Sequence, residues 1–191
     1  MVADIGGSQH PTSRALWSFF PGTEPVETRN DLRCQTLPFR DGSVDAAFCL
    51  EVIEHLSDPL YGHATTLSGV RYFLGELHRV LRFGGRALVT TPNAASLWTI
   101  QRALLGQPPM MYEWHFREFT VGELRQLAEH AGFSVVQLQT EFVWYRWDFG
   151  PIVDLLSRHG YSAADRGDDI FLVIQKDSGA QRKPLSIGLP V

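Results

Sequence analysis

The sequence predicts an α/β protein in which a mostly parallel, doubly wound β-sheet carries helices on both faces. Short apolar segments typical of buried strands alternate along the chain with segments of helical periodicity. The 191 residues suffice for one domain with a sizeable core. We assign that domain to residues 1–177 and a flexible tail to residues 178–191, because the tail is polar and contains prolines.

The first half of the chain supplies three predicted strands and two helices. "MVADIG" ends at a glycine turn, "EPVET" is a weaker second strand, and "VDAAFCL" is apolar but too short for a typical helix. "SRALWSFF" is a short helix candidate that Pro21 ends. Residues 66–83 place apolar side chains at helical spacing, and Gly84–Gly85 is the predicted end of that helix.

The second half continues the same alternation of strands and helices. "RALVTT" is a buried strand closed by Pro92, and "FSVVQLQTEF" alternates as a strand does. Thr120 and Glu123 have the spacing of a capping box, and Gly132 is placed to end the helix that follows them. Residues 151–159 indicate a further helix, and "IFLVIQK" is the final predicted strand.

Composition limits the classes of function. The formal net charge is −4, from 17 basic and 21 acidic residues, which argues against a large nucleic-acid footprint. No apolar stretch approaches the length of a membrane span, and the N-terminus lacks the pattern of a signal peptide. The two cysteines fit a reducing compartment. We therefore expect a cytoplasmic protein without membrane contact.

A polar group follows the buried strand "VDAAFCL". Glu51, Glu54 and His55 come directly after its last apolar residue. In open parallel sheets, ligands bind at the carboxyl ends of the strands. Buried carboxylates without partners are costly, so we expect these side chains to lie in an open cleft or to be paired.

Four stretches together resemble one enzyme family. In chain order they are "VADIGG", "LPFRDGSVDAAFCLEVIEHLSDP", "FLGELHRVLRFGGRALVTTPN" and "REFTVGELRQLAEHAGFSVV". They are similar to the class I S-adenosylmethionine-dependent methyltransferases, in the subgroup with an "EVIEH"-like element after the family's fourth strand. The resemblance implies a Rossmann-like sheet with an antiparallel last strand. It also implies a shortened N-terminal part, because the family usually carries a helix before the first strand.

The resemblance implies that the glycine turn after the first strand binds S-adenosylmethionine. Asp4, Gly6 and Gly7 take the places that contact the methionyl end of this cofactor in the family. A glycine there lets a ligand approach the backbone, and the next helix offers free N–H groups to its carboxylate. The family usually has alternating glycines where this chain has "GGSQH", and the alternative is an ordinary strand-to-helix turn.

Further positions complete the implied cofactor site. Glu27 is the candidate for the ribose hydroxyls, since a carboxylate can accept both hydrogen bonds, and the alternative is a solvated loop charge. Leu37, in "LPF", lies where the family places the adenine. Leu50 and Glu51 lie where the family passes the methionine end of the cofactor.

The E-x-x-E-H element has two interpretations. In many members of the subgroup it shapes the pocket, and this is the interpretation that we favour. In the small-RNA 2′-O-methyltransferases and the ubiquinone-type O-methyltransferases, the similar element holds a divalent metal. The alternative metal ligands here are Glu51, Glu54, His55 and His115.

The segment "SLWTIQRALLGQPPMMYEWHF" is the predicted substrate cover, as its place in the family implies. Met111, Tyr112 and Trp114 suit planar or apolar acceptor groups, and the alternative is a helix that packs its own core face. His115 and His55 are the candidate catalytic bases, because imidazole titrates near neutrality; the alternative for each is an ordinary core or surface histidine.

The predicted function is S-adenosylmethionine-dependent methyl transfer to an oxygen of a small molecule, such as a sugar or a natural-product intermediate. The alternative is a degenerate cofactor-binding or scaffold protein of the same fold without turnover, which the irregular glycine turn favours. An RNA 2′-O-methyltransferase is a third hypothesis, against which the acidic total argues.

Overall fold

A computed structural model describes residues 1–6, 18, 26–27, 30–58, 67–144, 147–178 and 183–184. The helix predicted in "SRALWSFF" and the position of Gly7 lie outside these residues. The boundary proposed at residue 177 stays a prediction, because most of the tail also lies outside them.

The described strands form one six-stranded sheet of order β2-β1-β3-β4-β6-β5. Strands β1 to β4 are parallel to one another, and β6 is antiparallel to both of its neighbours. The prediction of a mostly parallel sheet with an antiparallel last strand is therefore confirmed. The strands are β1 (Val2–Asp4), β2 (Val26–Glu27), β3 (Val44–Leu50), β4 (Leu81–Pro92), β5 (Ser134–Glu141) and β6 (Asp169–Gln175).

Four α-helices and one short 3₁₀ turn accompany the sheet in the described part of the chain. They are α1 (Ser68–Val80), α2 (Leu97–Leu104), α3 (Val121–Ala131), α4 (Gly150–Arg158) and the 3₁₀ turn Ile53–His55. Helix α1 buries Val70, Phe73, Leu74, Leu77 and Val80 against the sheet, as its apolar spacing predicts.

The predicted end of α1 at Gly84–Gly85 is wrong. The helix ends at Val80, and Leu81 already pairs with Val44 of β3. The pairing shifts between Val44 and Ala46, so the glycines form an irregular stretch inside β4. Gly84 has φ +74°, a left-handed conformation that suits glycine in a bulge as well as in a helix cap.

Helix α3 has both predicted terminal signals. The Thr120 side chain accepts a hydrogen bond from the Glu123 N–H, and the Glu123 carboxylate accepts one from the Thr120 N–H. Gly132 ends the helix at φ +97°. A cap of this kind stabilises a helix by about 1 kcal/mol. It fixes the start of α3 beside the segment from residue 111 to 118, which carries much of the candidate site.

The main core lies between the sheet and helices α1 and α3. A second, smaller apolar cluster joins α2 to α4 through Leu97, Phe149 and Ile152. Between β2 and β3, described residues 30–43 contain no strand. Among the described residues, no helix is long and apolar enough to cross a membrane.

Candidate functional site

A cleft of about 370 Å³ opens at the carboxyl ends of the parallel strands. Parallel strands end at the same edge of a sheet, so the residues after β1 and β3 meet there. The cleft is lined by Gly6, Asn30, Asp31, Leu32, Arg33, Glu51, Val52, His55, Leu56, Ser57 and Phe116. A larger depression of about 600 Å³ is lined only by α4 residues between Gly150 and Arg158, and it contains none of the strand-end groups.

The turn after β1 forms one wall of this cleft. Gly6 has φ +82°, and a Cβ built there would lie 2.8 Å from Cγ2 of Val52. The turn therefore needs glycine both for its backbone conformation and for its close packing against the segment after β3. Asp4, at the end of β1, is 2% exposed and is paired in register with Glu27 of β2.

A second part of the cleft wall carries an ion pair that the sequence did not predict. Asp31 accepts hydrogen bonds from Nε and Nη2 of Arg33, both at 2.8 Å, and Arg33 Nη1 donates to Ser57 Oγ at 2.7 Å. The Arg33 hydrogen bonds hold the pKa of Asp31 well below its usual range. This wall is therefore charged and preorganised.

The predicted cofactor residues differ in their distance from the cleft. Gly6 and Glu51 line it. Leu37 is 3% exposed within the main core, and Leu32 is the leucine that lines the cleft. Leu50 is half-buried at the end of β3 and does not belong to the lining.

Glu51 closes the carboxyl end of β3 in an unusual conformation. Its φ of +55° is left-handed, which is uncommon for a non-glycine residue. Two contacts with β4 hold it: its N–H donates to the Thr90 carbonyl at 3.1 Å, and its carboxylate accepts from Thr90 Oγ1 at 2.6 Å. Strained residues of this kind cluster at functional sites.

Glu54 lies beneath the cleft and has no exposed surface. Its Oε2 accepts a hydrogen bond from Thr91 Oγ1 at 2.8 Å, and its carbonyl accepts from the N–H of Phe116 at 2.9 Å. Burial, followed by the negative charge of Glu51, raises the pKa of Glu54 to about 8. Glu51 lines the cleft as expected, whereas Glu54 is paired only through Oε2, since its buried Oε1 has no hydrogen-bond partner within the described residues.

A third acid belongs to the same cluster. Burial and the charge of Glu51 raise the pKa of Asp169, the first residue of β6, to about 9. Burial likewise raises the pKa of Glu51. Near neutral pH this edge of the sheet therefore holds protons on carboxyl groups that would be ionised in water.

The two candidate bases lie side by side with different partners. The rings of His55 and His115 are 4.9 Å apart between centroids at 78°. His55 Nδ1 lies 3.3 Å from the carbonyl oxygen of Trp114, whereas His115 Nδ1 lies 2.8 Å from Oε1 of Glu118. The side chain of His115 is 8% exposed and that of His55 is 44% exposed. Burial, followed by the neighbouring His115, lowers the pKa of His55.

Three of the four alternative metal ligands come together. One ligand atom from each of Glu54, His55 and His115 lies within 4.8 Å of the others. Glu51 is not part of that group. The hydroxyl of Thr91 already occupies one carboxyl oxygen of Glu54.

The predicted substrate segment forms an aromatic rim above the histidine pair. Tyr112 and Trp114 are 54% and 66% exposed, and Met111 is half-buried. The Tyr112 ring lies 5.6 Å from the His115 ring. Phe116, which the sequence did not single out, is 67% exposed and lines the cleft itself.

Comparison with known proteins gives one consistent result. A family model described as a methyltransferase domain matches residues 4–138. A probable S-adenosylmethionine-dependent methyltransferase of Mycolicibacterium smegmatis is 37% identical over 99 residues, which are 52% of this chain and 32% of that protein. A second protein so described, from Mycobacterium tuberculosis, is 33% identical over 130 residues, which are 68% of this chain and 39% of that protein.

The chain thus spans about a third to two fifths of the length of these curated relatives. Among solved structures, an S-adenosylmethionine-dependent methyltransferase from Archaeoglobus fulgidus matches with a TM-score of 0.62. The match covers 92% of this chain and 85% of that one at 14% identity, so it shows a shared fold.

Proposed function

The chain belongs to the family of class I S-adenosylmethionine-dependent methyltransferases, and from this premise we propose that it methylates an oxygen atom of a small molecule, such as a sugar or a natural-product intermediate. S-adenosylmethionine is the cofactor of this family. The acceptor class rests on the aromatic rim and on the acidic total charge, which disfavours a large nucleic acid.

The main observation that supports the proposal is the cleft between the Gly6 turn and the residues after β3. It has the position at which open α/β sheets bind their ligands, and one wall is a turn in which a Cβ would have no room. The residues present therefore fit S-adenosylmethionine.

The parts of the cofactor have distinct candidate partners. Asp4, Gly6 and Gly7 would hold the methionyl end and Glu27 the ribose, and the register that pairs Asp4 with Glu27 supports this arrangement. Glu51 and Leu50 would border the methionine end. Leu32 is positioned to make the apolar contact with adenine for which the sequence suggested Leu37.

The protein itself has to contribute little to the chemical step. When bound, S-adenosylmethionine supplies a methyl group on a positive sulfonium sulfur, and that sulfur keeps the bonding electron pair as the methyl group leaves. The chain has to orient the acceptor, exclude water and accept the hydroxyl proton of a weakly acidic acceptor. His55, which lines the cleft, and His115, whose ring lies 4.9 Å from that of His55, are the candidate proton acceptors.

Methyl transfer from labelled S-adenosylmethionine to a panel of glycosides, phenols and short RNAs tests the proposal. The expected result is labelled product from a hydroxyl-bearing small molecule. Labelled RNA would contradict the proposed acceptor class. Binding of S-adenosylhomocysteine without transfer to any member of the panel would favour the cofactor-binding alternative.

Trp114→Ala is expected to separate acceptor binding from cofactor binding. Its indole is 66% exposed and lies on the rim, so its loss should leave S-adenosylhomocysteine affinity within about twofold and weaken acceptor binding. Phe116→Ala is the matched variant, because Phe116 lines the cleft. It should weaken S-adenosylhomocysteine by roughly threefold to tenfold in calorimetry. If Trp114→Ala instead weakened S-adenosylhomocysteine binding and left acceptor binding unchanged, the aromatic rim would belong to the cofactor site.

We further propose that the histidine pair works without a divalent metal. The Thr91 hydroxyl already donates to one carboxyl oxygen of Glu54, and Glu51 does not join the group of three that Glu54, His55 and His115 form. Turnover is therefore expected to be unchanged by excess chelator. Loss of activity in chelator with recovery on adding one divalent ion would instead assign Glu54, His55 and His115 as ligands.

A further inference from the structure

Glu118 is a buried acid that the sequence analysis did not single out. It lies between the aromatic rim and the cap of α3, and its side chain is 4% exposed. Its Oε1 accepts a hydrogen bond from the N–H of Met111 at 2.6 Å and lies 2.8 Å from Nδ1 of His115. Within the described residues, its buried Oε2 has no hydrogen-bond partner.

These contacts decide which nitrogen of His115 carries a proton. Oε1 already accepts the Met111 N–H, and this acceptor role favours a proton on Nδ1 at the short contact. In the neutral ring, Nε2 is then left without a proton. A carboxylate at Nδ1 also stabilises the positive imidazolium that forms once Nε2 accepts a proton.

Among the described residues, His55 has no carboxylate at its Nδ1. Its Nδ1 faces a backbone carbonyl at the longer distance of 3.3 Å, and its Nε2 lies 3.7 Å from Glu54, whose carboxyl group burial keeps protonated near neutral pH. The two histidines that the sequence could not rank are therefore distinguished by their partners: His115 has a carboxylate, and His55 has a carbonyl.

We propose that Glu118 is a positioning residue that fixes His115 in the Nδ1–H form, with Nε2 as the base of the methyl transfer. This inference rests on the proposed function. The acceptor oxygen bonds the methyl carbon, the electron pair of the broken bond stays on sulfur, and the hydroxyl proton passes to Nε2 of His115. The positive charge thereby moves from the sulfonium to an imidazolium held next to Glu118.

The tautomer of His115 tests the proposal without any acceptor. Histidine is labelled with ¹⁵N, and two-bond and three-bond ¹H–¹⁵N correlations are recorded at a pH at which the ring is neutral, with His115→Asn and His55→Asn for assignment. The expected result is an Nδ1–H tautomer for His115. Glu118→Gln should keep it, because the amide oxygen can still accept, whereas Glu118→Leu should shift the population toward Nε2–H.

Glu113→Gln is the matched control, because Glu113 is exposed in the same segment, and it should leave the spectrum of His115 unchanged. An Nε2–H tautomer in the unmodified protein would overturn the proposal, and so would a spectrum that Glu118→Leu leaves unchanged. If the leucine variant does not fold, the tautomer of the unmodified protein and of Glu118→Gln decides. Calorimetry with S-adenosylhomocysteine on the same samples distinguishes failure of the proposed function, which would appear as absent binding with the Nδ1–H tautomer intact.

Discussion

Glu54→Gln is expected to stabilise the protein at alkaline pH and to have little effect in mild acid. The folded state raises the pKa of Glu54 from its usual value of 4.5 to about 8. Between these values the folded protein keeps a proton that the unfolded chain has released, so the stability of the wild type falls as pH rises through this range. Glutamine carries no such penalty and can still accept the hydrogen bond from Thr91.

The expected gain at pH 9 is roughly 2–5 kcal/mol in the free energy of unfolding, because each pKa unit corresponds to about 1.4 kcal/mol. Urea unfolding at pH 5 and at pH 9 measures it. Glu113→Gln removes an exposed carboxylate and should change neither value appreciably. Equal stability of Glu54→Gln and the wild type at pH 9 would show that Glu54 is ionised in the folded protein at no cost.

Gly6→Ala is expected to abolish detectable binding of S-adenosylhomocysteine, a loss of about 100-fold or more. The added methyl group would point toward Val52, with 2.8 Å between Cβ and Cγ2, and φ +82° is unfavourable for alanine. Both effects move the turn that forms one wall of the cleft. Calorimetry with S-adenosylhomocysteine measures the loss, and circular dichroism confirms that the sheet is retained.

A second substitution separates the effect on the ligand from the effect on packing. Val52→Ala removes both γ-carbons that the new methyl group would meet. If the turn must keep its left-handed backbone and approach a ligand closely, the double variant Gly6→Ala with Val52→Ala should stay defective although the clash is relieved. Full recovery of binding in the double variant would show that Gly6 serves packing alone.

The strands could be predicted because local sequence determines them. "VDAAFCL" is short, apolar and followed by charged residues, and it forms β3 with the predicted bounds. The cap of α3 is likewise local, since Thr120 and Glu123 are three residues apart. The end of α1 could not be predicted from glycine alone, because pairing of Leu81 with Val44 starts β4 before Gly84 is reached.

The site was less predictable because its contacts join distant segments. Glu54 and Thr91 are 37 residues apart, and Arg33 and Ser57 are 24 apart. No helical or strand periodicity in the sequence predicts contacts between such distant residues. Glu118 could not be predicted for another reason. It lies next to the "FTVGEL" cap and resembles an ordinary acidic residue at the start of a helix. Only its contact with His115 distinguishes it.

NMR amide shifts on adding S-adenosylhomocysteine test most directly where the cofactor binds. Saturable shifts are expected at Gly6, in residues 30–33 and in residues 51–57, which include the lining of the cleft at the carboxyl ends of β1 and β3. Residues 150–158, which include the lining of the larger depression on α4, should not shift. Saturable shifts confined to α4, or none at all, would contradict the account.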